Sequence, residues 1–314
     1  MKHEVIRREE MEGAILDLGG PPIDLADYVT TGLMAVAVGP RGFGKTNAGL
    51  VIGEQLAEQG WVSVLVDPEH ELESMYGEAV ADADQLRQLL KDRSRKTIVV
   101  SAADATEFIP YGEAILEASD VYRKPLYVML DEGQLFSAPR RRERDVGRAS
   151  DIVNEFVGRG RKRALDLYIT ALRYTGTLHR SIFSNKNLTL IGCQEDPTVW
   201  SALAPQFRAS KIDFSDVNAL APGEFFCFSR RGMEKVKMPM AGALRRVARP
   251  AKAVQRTLPV NFRQWDRAMR GIPLERLQAL TDPVTSLLGA VAGLPAHQMA
   301  SGINALQDEL AARA

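Results

Sequence analysis

The chain has 314 residues, enough for one large domain or for a domain with an appendage. Its hydrophobic content of 45% is ordinary for a globular protein and sufficient for a core. The 40 basic and 40 acidic residues cancel, which argues against a uniformly basic nucleic-acid-binding surface and still allows a local basic stripe.

Short apolar runs alternate with helix-like segments along the first part of the chain. The pattern predicts strands at residues 33–38, 61–66, 97–101 and 126–130, and helices at residues 46–59 and 82–91. Gly60 follows the first helix as a C-cap. This alternation is typical of a mostly parallel sheet covered by helices.

The same pattern continues beyond residue 140. It predicts a helix at residues 145–157, a basic segment at 158–163, and strands at 165–170 and 188–191. Two further runs, 224–229 and 234–238, flank Arg230-Arg231-Gly232 and predict a hairpin at the end of the core. The predicted fold class is therefore α/β, with a mostly parallel central sheet.

The composition changes near Leu244. Residues 245–259 are basic, carry two prolines and have no clear period, which indicates a linker or an extended arm. Residues 261–314 read as short helices broken at Pro273, Pro283 and Pro295. We therefore expect a large α/β core at residues 1–244 and a linker with a small helical C-terminal appendage at 245–314.

Cysteine usage and the chain's N-terminus bear on the compartment. Cys193 and Cys227 lie in apolar, strand-like runs without metal-ligand spacing, so we expect two reduced, buried thiols. The charged N-terminus lacks the apolar stretch of a signal peptide, and the weakly polar run at 284–299 is too short to span a bilayer. These features predict a soluble, cytoplasmic protein.

A complete phosphate-binding loop lies between the first predicted strand and helix. Its glycines let the backbone turn tightly and direct N–H groups at phosphate oxygens, and the helix that follows presents its positive end. Lys45 is expected to reach the β- and γ-phosphates of ATP, and the Thr46 hydroxyl to bind Mg²⁺. The predicted nucleotide-binding residues are Gly39, Pro40, Arg41, Gly42, Phe43, Gly44, Lys45, Thr46 and Asn47.

Two carboxylates end the predicted strand at 126–130. Asp131 and Glu132 would lie at the carboxyl edge of a parallel sheet, where ligands bind. We expect Asp131 to hold Mg²⁺, directly or through water, and Glu132 to act as general base on the attacking water. The alternative is a solvated acidic turn. An acid directly after the metal-binding aspartate favours an ATPase over a small-molecule kinase, for which the sequence shows no acceptor pocket.

Basic residues cluster between positions 140 and 163. Those at 140–144 are interleaved with acids and predict a loop, whereas those at 158–163 lie between a predicted helix and a strand. The cluster could supply an arginine finger for a neighbouring subunit's γ-phosphate or contacts with a nucleic-acid backbone. A solvated basic face is the structural alternative.

Thr170-Ala171-Leu172-Arg173 ends the predicted strand at 165–170 and should lie beside the phosphate-binding loop. Thr170 and Arg173 are polar enough to sense the γ-phosphate of a bound nucleotide. A capped strand end and a surface arginine would explain the same residues equally well.

Several short motifs together resemble the FtsK/HerA group of P-loop ATPases, over residues 23–240. Besides the loop and Asp131-Glu132, the resemblance rests on Asp67-Pro68-Glu69-His70-Glu71, on Gly160-Arg161-Lys162-Arg163-Ala164-Leu165-Asp166-Leu167, on Leu178-His179-Arg180-Ser181-Ile182-Phe183-Ser184-Asn185 and on Ala221-Pro222-Gly223-Glu224-Phe225. In size the chain is similar to the genome-packaging ATPases of membrane-containing viruses and to related mobile-element ATPases.

The resemblance implies a RecA-like core that hydrolyses ATP with Mg²⁺ in a homo-oligomeric, hexameric ring and moves double-stranded DNA, with a capsid or other assembly protein as a further partner. Arg161 matches the arginine that the family offers in trans to the next subunit's ATP. The chain departs from the family at Leu172, where a sensor glutamine is usual, and at Arg41, where small residues are common.

A second function stays open from the sequence. The helical segments beyond Asn261 and the altered sensor also fit a nucleotide-dependent switch or assembly factor that acts on a protein partner through its tail.

Overall fold

The computed structural model describes residues 13–122, 125–137, 144–174 and 176–248. A mixed sheet of eight strands forms its centre, in the order β10-β9-β8-β3-β7-β6-β4-β5. The strands are β3 Met34–Val38, β4 Val62–Asp67, β5 Thr97–Ser101, β6 Leu126–Leu130, β7 Leu165–Ala171, β8 Leu188–Ile191, β9 Glu224–Ser229 and β10 Gly232–Lys237. A separate antiparallel pair consists of β1 Ile15–Leu16 and β2 Ile23–Asp24.

The strands from β8 to β5 in this order run parallel. Every residue of β3, β4, β6 and β7 is buried, as expected for strands covered on both faces. The predicted mostly parallel α/β sheet is therefore confirmed. The hairpin of β9 and β10 adds an antiparallel edge, in which Gly232 pairs with Ser229 across the turn at Arg230 and Arg231.

Nine helices are present in the described part of the chain, together with 3-10 turns at Leu25–Tyr28 and Gly133–Leu135. They are α1 Lys45–Glu58, α2 Glu73–Tyr76, α3 Ala83–Asp92, α4 Ala105–Tyr122, α5 Arg144–Arg163, α6 Arg180–Asn185, α7 Pro197–Phe207, α8 Phe214–Asn218 and α9 Gly242–Ala248. The helices predicted at 46–59 and 82–91 correspond to α1 and α3.

Helix α1 lies directly against the sheet through two glycines. A Cβ added at Gly49 would come within 2.6 Å of Tyr168, and one at Gly53 within 2.9 Å of Tyr127. The two tyrosine hydroxyls also donate hydrogen bonds to the backbone of α1. Tyr127 donates to the Gly49 carbonyl at 2.8 Å, and Tyr168 donates to the Lys45 carbonyl at 2.6 Å. Strands β6 and β7 therefore hold the first turns of α1 in place.

Several helices differ from the sequence prediction, which did not include the short helices α2, α6, α7, α8 and α9. Helix α4 was not predicted, because Pro110 and Gly112 interrupt its pattern; Gly112 lies where a Cβ would come within 2.7 Å of Ile152 of α5. The prediction that residues 158–163 lie beyond a helix is wrong. Helix α5 continues through them to Arg163, and Ala164 ends it with φ 53°. Of the predicted loop at 140–144, residues 140–143 lie outside the described residues and Arg144 begins α5.

The predicted linker begins as a helix. Residues 245–248 complete α9, whose first turn is bound by Glu54 of α1: the carboxylate accepts from the N–H groups of Gly242 at 2.6 Å and Ala243 at 2.8 Å. The remainder of the predicted tail, 249–314, lies outside the described residues, and the division into core and tail stays a prediction.

Both cysteines are free and buried, as predicted. Burial raises the pKa of Cys227 to about 12, so this thiol stays protonated. Across the described segments, no helix combines the length and the apolar character needed to cross a membrane.

Candidate active site

The loop between β3 and α1 has the backbone of a phosphate-binding turn. Gly42 and Gly44 adopt φ of 70° and 91°, a conformation that strains residues with a side chain. Gly44 is the N-cap of α1 and supplies no side-chain hydrogen bond to it. The N–H groups of the first turn are therefore directed at the loop, where they can bind an anion.

Phe43 anchors this loop to the core. Its buried ring meets Phe225 of β9 edge to face, with centroids 5.9 Å apart, and the Phe43 carbonyl accepts from Gly223 N–H at 3.0 Å. Gly192, which follows β8, leaves room for the ring: a Cβ there would come within 2.7 Å of it. Phe43 was predicted as a nucleotide-binding residue, and its side chain serves the fold of the loop.

Lys45 bends back over the loop that it follows. Its Nζ donates to the carbonyls of Gly39 and Pro40, both at 2.9 Å, and the side chain is buried. Burial lowers the pKa of Lys45; the negative charges of Glu132 and Asp131 oppose this shift and the positive charge of Arg41 adds to it. A polyphosphate bound in the loop would place negative charge beside the buried ammonium group of Lys45.

A short chain of hydrogen bonds joins the loop to β6 and β7. The Thr46 hydroxyl donates to Asp131 Oδ2 at 2.7 Å, and the Thr170 hydroxyl donates to Asp131 Oδ1, also at 2.7 Å. Thr170 Oγ1 in turn accepts from the Glu132 N–H at 2.8 Å. The structure thus brings together the predicted metal ligands Thr46 and Asp131 and the predicted base Glu132.

Thr170 is fully buried in this arrangement. Its hydroxyl donates to the Asp131 carboxylate and accepts from the Glu132 N–H, so its observed contacts position that carboxylate and the backbone of Glu132. The sequence predicted Thr170 as a phosphate sensor, from its place at a strand end. The sequence did not show that β7, the strand of Thr170, lies between β3, which precedes the loop, and β6, and pairs with both.

The donor set fits a magnesium ion. The Thr46 hydroxyl and the Asp131 carboxylate offer oxygen atoms beside a phosphate-binding loop, and Mg²⁺ is bound in such sites by one or two carboxylates together with substrate phosphates. Thr46 and Asp131 would hold the ion. Their mutual hydrogen bond places the two oxygen atoms 2.7 Å apart.

Two other predicted residues have structural partners. Asn47 faces the segment before α9: its Nδ2 donates to the Pro239 carbonyl at 2.8 Å, and its Oδ1 accepts from Ala241 N–H at 2.8 Å. Arg173 is largely exposed and pairs with Asp196, the N-cap of α7, at 3.6 Å. Nucleotide contacts by Asn47 and Arg173 stay predictions.

The two remaining arginine predictions are placed only in part. Arg41 is exposed at the tip of the loop. Arg161 lies in the last turns of α5, and its side chain is outside what the structure describes.

Sequence reasoning missed Gln134 and Tyr168. The Gln134 amide donates from Nε2 to Glu132 Oε2, and Tyr168 fixes the Lys45 carbonyl. Tyr168 sits in an apolar strand, where nothing distinguishes it from a core residue. Gln134 did carry a signal, since a polar side chain two positions after a candidate base lies within reach of it.

No protein-family model and no curated protein sequence matches the chain. Solved structures do match. The genome packaging NTPase B204 from Sulfolobus turreted icosahedral virus 2, in complex with sulfate, superposes with a TM-score of 0.52 at 16% identity over 67% of this chain and 98% of that chain. Its complex with ATP-gammaS superposes with a TM-score of 0.52 at 16% identity, over 66% of this chain and 98% of that chain. B204, the DNA-packaging ATPase from Sulfolobus turreted icosahedral virus, superposes with a TM-score of 0.50 at 13% identity, over 65% of this chain and 97% of that chain.

At this identity the matches show the fold alone. The core of this chain has the RecA-like fold of the P-loop ATPases.

Proposed function

We propose that the chain hydrolyses ATP at the carboxyl edge of its sheet. The observation that carries this proposal is the bond chain from Thr46 through Asp131 and Thr170 to Glu132. It connects a phosphate-binding loop to the backbone N–H of Glu132, a residue whose carboxylate is not needed as a metal ligand. A binding protein needs only the loop; a hydrolase also needs a base beside it.

Each residue has one part in the proposed reaction. Lys45 and the N–H groups of the loop bind the phosphates. Thr46 and Asp131 would hold Mg²⁺, which would neutralise charge on the phosphate oxygens. Glu132 orients the attacking water and accepts its proton. Thr170 fixes Asp131 and the Glu132 backbone, which keeps the two carboxylates in separate roles.

We further propose that the ATPase works as a homo-oligomeric ring, hexameric as in the FtsK/HerA group, that translocates double-stranded DNA, with genome packaging as its setting. Two observations support this: solved structures that share the fold are genome packaging NTPases, and α5 ends in the basic sequence Gly160-Arg161-Lys162-Arg163. Arg161 would reach the ATP of the next subunit. A capsid protein would be a further partner.

The test measures ATP hydrolysis with and without duplex DNA at low salt, together with the mass of the protein by light scattering. We expect turnover to rise with DNA and an oligomer to form. The stimulation by DNA should weaken at high salt, because binding to DNA phosphates releases counterions and added salt opposes that release. A monomer whose hydrolysis ignores DNA would contradict the ring motor and leave a nucleotide-dependent switch acting on a protein partner.

A further inference from the structure

Gln134 touches the proposed base. It lies in the 3-10 turn Gly133–Leu135, directly after Glu132, and its side chain folds back so that Nε2 donates to Glu132 Oε2. The reverse orientation of the amide would place an oxygen atom against a carboxylate, so the contact identifies the nitrogen as the atom that faces Glu132.

The backbone of this turn is fixed independently of Gln134. Glu132 adopts φ 46°, and its N–H is held by Thr170. Gly133 lies directly on β7: a Cβ there would come within 2.2 Å of Ile169 and 3.0 Å of the Thr170 carbonyl. These contacts hold the main chain of the turn, and Gln134 is bonded to the side chain of Glu132.

The other end of the Gln134 amide has no such partner. Its Oε1 is buried and receives no hydrogen bond from the residues that the structure describes. An unpaired buried acceptor is unfavourable for the folded state, and an apolar side chain of the same length would avoid it. Stability alone therefore gives no reason for glutamine here, whereas the bond to Glu132 does.

We propose that Gln134 is a positioning residue for the hydrolytic base. Its Nε2 holds Glu132 Oε2 and leaves Oε1 of the same carboxylate to accept a proton from the attacking water. This is the arrangement in which a base is itself oriented by a third group. The inference rests on the proposed function, because it assigns Gln134 to the hydrolysis step and to no part of nucleotide binding.

The deciding variant is Gln134→Met, which keeps the length of the side chain and removes both the donor and the unpaired oxygen. A hydrogen bond to a charged group corresponds to about a 10- to 100-fold effect, so we expect kcat for MgATP to fall by that factor. The KM and the Kd for ATP should stay within about twofold, and Tm should be unchanged or higher. Leu135→Met, an exposed change in the same turn, should leave all four values unchanged.

Gln134→Asn provides a second variant should the Met variant fold poorly. It keeps the amide but is one methylene too short for the contact, so kcat should again fall with ATP affinity preserved. Full kcat in either folded variant would overturn the proposal, and so would a loss of kcat that is matched by the loss of ATP affinity.

Glu132→Gln separates this inference from the function on which it rests. If Glu132→Gln hydrolyses ATP as fast as the parent chain, the proposed site itself fails. If Glu132→Gln is inactive while Gln134→Met keeps the parent kcat, only the role of Gln134 fails.

Discussion

Thr170 shows how a single buried hydroxyl can organise the residues around it. It donates to Asp131 and accepts from the backbone of Glu132, whose φ of 46° lies in a region that side chains rarely adopt. The second bond helps to hold that conformation. Without the hydroxyl, both the Asp131 carboxylate and the Glu132 backbone would lose a partner.

Replacing Thr170 therefore tests the organisation of the site at the scale of one residue. Thr170→Val keeps the shape and loses both hydrogen bonds, so we expect the free energy of unfolding to fall by about 1–3 kcal/mol and ATP turnover to fall at least tenfold. Thr170→Ser, which keeps the hydroxyl, should retain most of both. Urea unfolding and steady-state hydrolysis measure the two effects, and equal turnover in the two variants would refute the assignment.

At the scale of elements, α1 connects the phosphate-binding loop with the end of the described chain. Its first turn carries Lys45 and Thr46. Asn47 and Glu54, which lie two turns apart on the same side of α1, bind the segment before α9 and the first residues of α9. Glu54 also accepts from the Tyr76 hydroxyl at 2.8 Å. Burial, followed by the bond to Glu54, raises the pKa of Tyr76, so Tyr76 remains a donor.

Removing the Glu54 carboxylate should release α9 from α1. Glu54→Ala leaves two N–H groups and one hydroxyl without their acceptor, which we expect to lower the free energy of unfolding by about 2–3 kcal/mol. Glu58→Ala changes the same residue type at an exposed position of α1 and should stay within about 0.5 kcal/mol of the parent chain. Equal unfolding midpoints for the two variants in urea would contradict the account.

The elements also show how far the sequence could go. Strands and the loop helix α1 were predictable because their signals are local: apolar runs, a glycine-rich loop and a C-cap. Helix α4 was missed because Pro110 and Gly112 look like breaks, while packing against α5 outweighs their helix propensity. The partners of Asn47 lie 192 and 194 positions away, so no local pattern could reveal them.

The residues of the site also divide into those that the sequence could predict and those that it could not. Lys45, Thr46, Asp131 and Glu132 follow from motifs whose spacing reflects their chemistry, and the structure brings them to one edge. The contact of Gln134 with Glu132 depends on the left-handed backbone at Glu132.

At the scale of the whole molecule, the site lies at the carboxyl edge of the sheet. The long helix α5 ends in a run of basic residues that includes Arg161. If Arg161 serves the ATP of an adjacent subunit, its contribution exists only in the assembled ring. Turnover per chain should then rise with protein concentration in the parent, and Arg161→Ala should lose that rise while the dilute monomer is unaffected.

Lys162→Ala serves as the control for lost charge in that series and should keep the rise. Light scattering on the same samples gives the degree of assembly. A monomer that is impaired by Arg161→Ala as much as the oligomer would show that the arginine does not act in trans.

In the proposed function, Glu132 converts a nucleotide-binding loop into a hydrolytic site. Phosphate release and ATP affinity of Glu132→Gln, with Lys45→Ala as the binding-deficient control, test it most directly. We expect Glu132→Gln to bind MgATP as tightly as the parent chain and to release phosphate at least 100-fold more slowly, on the order of the loss of a general base. Lys45→Ala should lose affinity for ATP. Turnover by Glu132→Gln at the parent rate would contradict it.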